Sequence, residues 1–197
     1  MRAKSLSVLA TLMLLPAVAA AVGPEGWRLR GNDPSSYMMD RDSVETYAGK
    51  PSGRLMSVCE SKGSDSPMGC KGFGTMMQSF DAGEYKGKRV RFSGYVKARE
   101  VREWAGLWMR VDGEGDPYAR EPEARPQTLA FDNMRGRPIQ GSRDWARYDV
   151  VLDVRRDATR IYLGILLHGQ GTVWLSGVSF EVVSTDVPAT DAGGANK

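Results

Sequence analysis

The chain has 197 residues, 27 Lys and Arg against 24 Asp and Glu, and a single His. Mixed charge with no basic block gives nucleic acid little to hold, because that affinity comes from neutralising phosphates. One histidine excludes multi-histidine zinc sites, and no Gly-x-Ser-x-Gly elbow is present for a hydrolase nucleophile.

The N-terminus opens with Arg2 and Lys4, continues as an apolar run from Leu6 to Leu15, and reaches Pro16 and a small-residue stretch from Ala17 to Ala21. This is the pattern of a secretory leader over residues 1–21, cleaved after Ala19 or Ala21. The run is shorter than the roughly 20 residues a membrane helix needs, and no later segment approaches that length. Removal of Arg2 and Lys4 with the leader leaves a net charge of +1. The expected location is periplasmic or secreted, with no membrane span and no nucleic acid partner.

The remainder, residues 22–183, patterns as strands. Trp27–Leu29, Ser52–Val58 and Phe73–Phe80 are strand candidates, and Asp81–Tyr85 can form one helical turn. Val90, Phe92, Gly94 and Val96 alternate with Arg89, Arg91, Ser93 and Tyr95. Ala105, Leu107, Met109 and Val111 alternate with Trp104, Gly106, Trp108 and Arg110. Thr128–Asp132 follows. Tyr148, Val150, Leu152 and Val154 then alternate with Arg147, Asp149, Val151 and Asp153, and Ile161, Leu163, Ile165 and Leu167 alternate with Arg160, Tyr162, Gly164, Leu166 and His168. Thr172–Val183 closes the series, with a change of face near Ser176-Gly177 that suggests a bulge. Period-two alternation marks half-buried strands. Turn residues between them give an all-β, two-sheet antiparallel β-sandwich. Residues 184–197 hold almost nothing apolar to bury and are expected to be a disordered tail.

Cys59 and Cys70 flank a Gly-, Ser- and Pro-containing segment, and in an oxidising compartment such a pair closes as a disulfide.

Several segments carry a resemblance. Gly72–Phe80 leads into the Tyr85–Lys97 element, followed later by Asp144–Leu152 and Gly171–Phe180. Together these resemble the galactose-binding-like superfamily, above all carbohydrate-binding modules of the jelly-roll type. The resemblance implies a jelly-roll fold. Trp104–Asp112, with Leu129–Met134 and Arg137–Ile139, is similar to a bacterial subfamily whose domain also occurs appended to transcription regulators. That subfamily brings no activity with it. Many carbohydrate-binding relatives place acids in the last strand, one of them a ligand of a structural calcium. Ser176 and Gly177 occupy those positions here and offer no carboxylate. No metal or cofactor is expected.

If Ala105, Leu107, Met109 and Val111 face the core, Trp104, Trp108 and Arg110 face outward. Large aromatics on an outer sheet face are either used or covered. Tyr162 and His168 share this outward series in a jelly-roll strand order, and Gln78 and Asp132 are further candidates. The face is either an open ligand groove or a second small core beneath the Asp112–Pro126 connection. Trp145 and Trp174 read as structural.

The functional expectation is an exported non-catalytic binding module for a carbohydrate or other small polar ligand. The alternative is an envelope domain that uses the same patch against a protein partner. Catalysis by paired carboxylates such as Glu100 and Glu103 is the least supported reading.

Overall fold

The computed structural model describes residues 26–59, 70–115 and 125–190. The segment expected to be a leader, the last seven residues and much of the Asp112–Pro126 connection lie outside them.

The alternating segments form nine strands among the described residues: β1 (Arg28–Gly31), β2 (Tyr37–Tyr47), β3 (Lys50–Ser57), β4 (Phe73–Asp81), β5 (Arg89–Gly113), β6 (Thr128–Asp132), β7 (Ile139–Asp153), β8 (Ala158–His168) and β9 (Thr172–Val183). Short 3-10 turns occupy Pro34–Ser36 and Gly83–Tyr85. The second lies inside the segment expected to make one helical turn.

The two segments expected to be separate strands, around Val90 and around Leu107, are halves of the 25-residue β5. Its first half pairs with β9 and β7, from Arg89 opposite Val183 and Asp153 to Ala98 opposite Val173. Its second half pairs with β8 and β6, as in Trp108 opposite Gly164 and Arg110 opposite Phe131. The halves meet at Glu100, whose φ of 52° is left-handed, and the β5–β7 register shifts around it. One layer is therefore β2-β3-β9-β5-β7 and the other β1-β4-β8-β5-β6, with every pairing antiparallel.

The layers face each other through the predicted apolar series. Phe92, Val96, Leu55 and Leu152 from one layer meet Leu107, Met109, Ile161, Ile165 and Leu167 from the other, all buried in one cluster. The suspected bulge in β9 is present. Between the pairs Ser93–Ser179 and Tyr95–Ser176, one residue of β5, Gly94, faces two of β9, Gly177 and Val178, with Gly177 at a φ of 59°.

β2 is not visible in the alternation. It pairs only with β3, across a turn in which Ala48 and Gly49 both have positive φ, the geometry of a tight hairpin. Its Asp42 is buried yet well partnered. The carboxylate accepts from Trp174 Nε1 at 2.9 Å, Val44 N at 2.8 Å and Glu45 N at 3.1 Å, with Arg54 at 3.4 Å. Trp174 is thereby structural, as expected, with Arg99 stacked over its ring.

The start of the expected tail is docked. Thr190 N donates to Val151 O at 2.8 Å, Val151 N donates to Thr190 Oγ1 at 2.9 Å, and Arg89 Nη1 donates to the carbonyls of Thr185 and Val187. Backbone hydrogen bonds and one arginine hold 184–190 where apolar burial could not.

A disulfide joins Cys59 to Cys70. Its loop closure restricts the unfolded chain, so the Cys59→Ala/Cys70→Ala variant should lose about 3 kcal/mol of stability in denaturant unfolding. Asp42 supplies a pH signature. Burial pushes its carboxyl up, but the donors from Trp174, Glu45 and Val44, with the Arg54 charge, outweigh this and hold it below the ordinary value. A lowered carboxylate stabilises the fold above its unfolded pKa, and that contribution is lost as pH falls through the folded value. Asp42→Asn should therefore be less stable at neutral pH. It should also show a shallower loss of stability below about pH 4 in acid titration followed by circular dichroism.

Candidate functional site

The outward side of the β1-β4-β8-β5-β6 layer carries a groove of about 640 Å³, within the range of small-molecule sites. Register builds it rung by rung. Arg30, Thr75, Leu166 and Gly106 form one row across β1, β4, β8 and β5, and Arg28, Met77, Gly164 and Trp108 form the next. Ser79, Tyr162, Arg110 and Phe131 form the third row, across β4, β8, β5 and β6.

Trp108 is the floor. Its indole crosses β8 over Gly164 and donates from Nε1 to Thr75 Oγ1 on β4 at 2.7 Å; the same hydroxyl donates to Ile165 O at 2.9 Å. Gly164 is required beneath it, since a Cβ there would collide with the Met76 carbonyl and reach within 3.0 Å of Trp108 Nε1. Trp108 is only 8% exposed. It is thus neither a free-standing platform nor part of a separate core, but a plank laid on the sheet.

Arg110 stands beside it. Its guanidinium lies 4.7 Å from the centre of the Tyr162 ring, and Nη2 is 2.9 Å from Asp112 Oδ2. Asp112 is 4% exposed in its side chain. Burial raises its carboxyl above the ordinary value, against the opposing pull of Arg110 and the Thr128 hydroxyl.

Of the residues expected on this face, Trp108, Arg110, Tyr162 and Gln78 line the groove. Gln78 belongs by register to the core-facing series, opposite Leu163, and joins the groove at its edge beside Gly26. Trp104 and His168 are cross-strand partners whose rings stack at 6.1 Å, outside the groove. Asp132 also falls outside. It sits opposite core-facing Met109, accepts from Met134 N, and pairs with Arg137 at 2.8 Å. Its neighbour Phe131 takes the groove position, because adjacent residues of a strand face opposite ways.

Arg28, Arg30, Thr75, Met77, Arg160 and Phe131 line the groove without having been singled out from sequence. Arg160 had a signal, since it continues the Tyr162–Gly164–Leu166 series by one step. The β1 arginines had none, because only pairing with β4 brings them here. Among the described residues no group of three or more His, Cys, Asp or Glu is placed to hold a metal ion.

No protein-family model matches the chain. Over 167 residues it is 39% identical to the uncharacterized HTH-type transcriptional regulator YbfP of Bacillus subtilis strain 168, covering 85% of this chain and 51% of that protein. The chain thus spans about half the length of that relative. Among solved structures it is similar to the CBM22-1 xylan-binding domain of Paenibacillus barcinonensis Xyn10C, with a TM-score of 0.51 at 16% identity, covering 82% of this chain and 88% of that one. It is also similar to the CBM22-1–GH10 modules of Clostridium thermocellum Xyn10B complexed with xylohexaose, with a TM-score of 0.52 at 11% identity, covering 83% of this chain and 27% of that one. At these identities the likeness is one of fold, and the fold is the β-sandwich of carbohydrate-binding modules.

The floor geometry has a measurable consequence. Trp108→Ala should cost about 3–5 kcal/mol of stability, the usual loss for a buried aromatic. Trp108→Phe should cost less, and Gly164→Val should destabilise by displacing the indole. Thermal unfolding of the three variants checks the order.

Proposed function

We propose that this domain is a non-catalytic saccharide-binding module whose ligand lies in the groove over Trp108. The observation that carries the reading is the composition of that groove. Tyr162 and Phe131 supply ring faces and edges. Gln78, Ser79 and the arginines supply hydrogen bonds that can meet sugar hydroxyls. The fold, shared with carbohydrate-binding modules, supports it without deciding it, since sandwiches host many activities.

The match to half of a regulator fits the same reading. A recognition domain can serve as a regulator's input, whereas a purely structural domain has no evident place there. The Cys59–Cys70 disulfide favours action outside the cytoplasm, in agreement with the leader pattern.

A glycan array probed with the purified protein tests the proposal, followed by calorimetry on the hits. Reproducible oligosaccharide binding without hydrolysis is expected. Tyr162→Ala should weaken that binding about fivefold to tenfold, the scale of one aromatic contact. An array with no saccharide hits and a single stoichiometric protein partner in pull-down would favour the envelope-interaction alternative instead.

A further inference from the structure

The groove is charged with one sign. Arg28, Arg30, Arg110 and Arg160 line it, and among the described residues no Asp or Glu does. Asp112 is buried against Arg110 and committed to it. Arg160 stands between Asp81 on β4 and Asp112 on β5; Asp81 accepts from Gly83 N at 2.6 Å, and neither acid makes an ion pair with Arg160. Arg30 donates only to the carbonyl of its own neighbour Leu29. Among the described residues, the side chains of Arg28 and Arg160 make no hydrogen bond or ion pair.

Several arginines elsewhere in the domain are ion-paired. Arg54 pairs with Asp40 and Asp42, Arg89 with Asp153, Arg91 with Asp149 and Glu181, Arg99 with Glu45, Arg137 with Asp132, and Arg155 with Asp157. Of the groove arginines, Arg28, Arg30 and Arg160 make no ion pair, and Arg110 alone is paired, with Asp112. They also sit on both sides of the floor. Arg28 and Arg30 rise from β1, while Arg110 lies on β5, three inter-strand steps or about 14 Å away. A concave surface lined by one sign focuses its field on whatever lies inside, and a guanidinium binds a carboxylate or sulfate through two parallel hydrogen bonds. A neutral sugar would leave Arg28, Arg30 and Arg160 without a counter-charge.

We infer that the groove selects an acidic oligosaccharide, with anionic groups along its chain meeting Arg28 and Arg30 on one wall and Arg110 and Arg160 on the other. The inference rests on the saccharide-binding reading and adds the chemical class of the sugar. The carboxylates of uronic acids and sulfate esters share the required chemistry.

Calorimetry of the full chain with hexagalacturonate, its methyl ester, xylohexaose and dextran sulfate tests it. Hexagalacturonate should bind at least about tenfold more tightly than its methyl ester, and the margin should shrink with added salt. The Arg28→Gln/Arg160→Gln variant, altered only at exposed positions, should keep its melting temperature and lose the margin. Arg135→Gln, on an exposed turn away from the groove, should retain it. Dextran sulfate bound through the same two arginines would also support the inference; binding of dextran sulfate with rejection of the uronate would assign sulfate as the anion. Equal affinity for hexagalacturonate, its methyl ester and xylohexaose would overturn the acidic preference while leaving sugar binding intact. So would a margin that survives the double substitution, or one lost equally in Arg135→Gln. Failure of all four probes would remove the saccharide reading together with the inference.

Discussion

β5 belongs to both layers. Its first half is hydrogen-bonded between β9 and β7, and its second half between β8 and β6. Because side chains alternate strictly along a strand, one choice of register on β5 fixes the inward face of both layers at once. Phe92 and Val96 face the core from one half, and Leu107 and Met109 face it from the other. The turn at Glu100 re-aims the chain between them. The outward positions Trp108 and Arg110 are then fixed as well. The groove is the reverse side of a packing requirement rather than a separate construction.

That dependence explains the floor. Trp108 faces outward because Leu107 and Met109 face inward, and an outward indole must lie down to escape water. It can do so only because Gly164 leaves the rung open and Thr75 offers an acceptor one strand further on. Three residues from three strands, far apart in sequence, therefore make one flat apolar surface. Arg110 is held by the same economy of neighbours. Tyr162 lies beneath its guanidinium and the buried carboxylate of Asp112 beside it, which orients the side chain without exposing an acid to the groove.

Much of this was legible in the sequence, and the limits are physical. Alternation exposed β8, the second half of β7 and both halves of β5, because each buries one face and the period is unambiguous. β2 escaped because Asp40, Asp42 and Glu45 interrupt any apolar series. Asp42 is buried by hydrogen bonds to Trp174 and backbone amides, which no periodicity reports. Groove membership was legible where a residue sat on a strand of known face, as for Trp108, Arg110 and Tyr162. It failed where the face depended on register to an unseen neighbour. Phe131 stands where Asp132 was expected, a single-residue difference of face, while Gln78 reaches the groove only at its edge, beside the outward Thr75 and Met77. Arg28 and Arg30 reach the groove through strand pairing alone.

β1 has a role apart from any ligand. It is four residues long, pairs on one side only with β4, and ends its layer. Among the described residues its other edge carries no partner strand, the kind of template on which another copy of a chain can add a strand. Brevity and two exposed arginines on four residues oppose that addition, since a second copy would bring like charge against like. The cations that line the groove thus also serve as guards of solubility at the rim of the sheet.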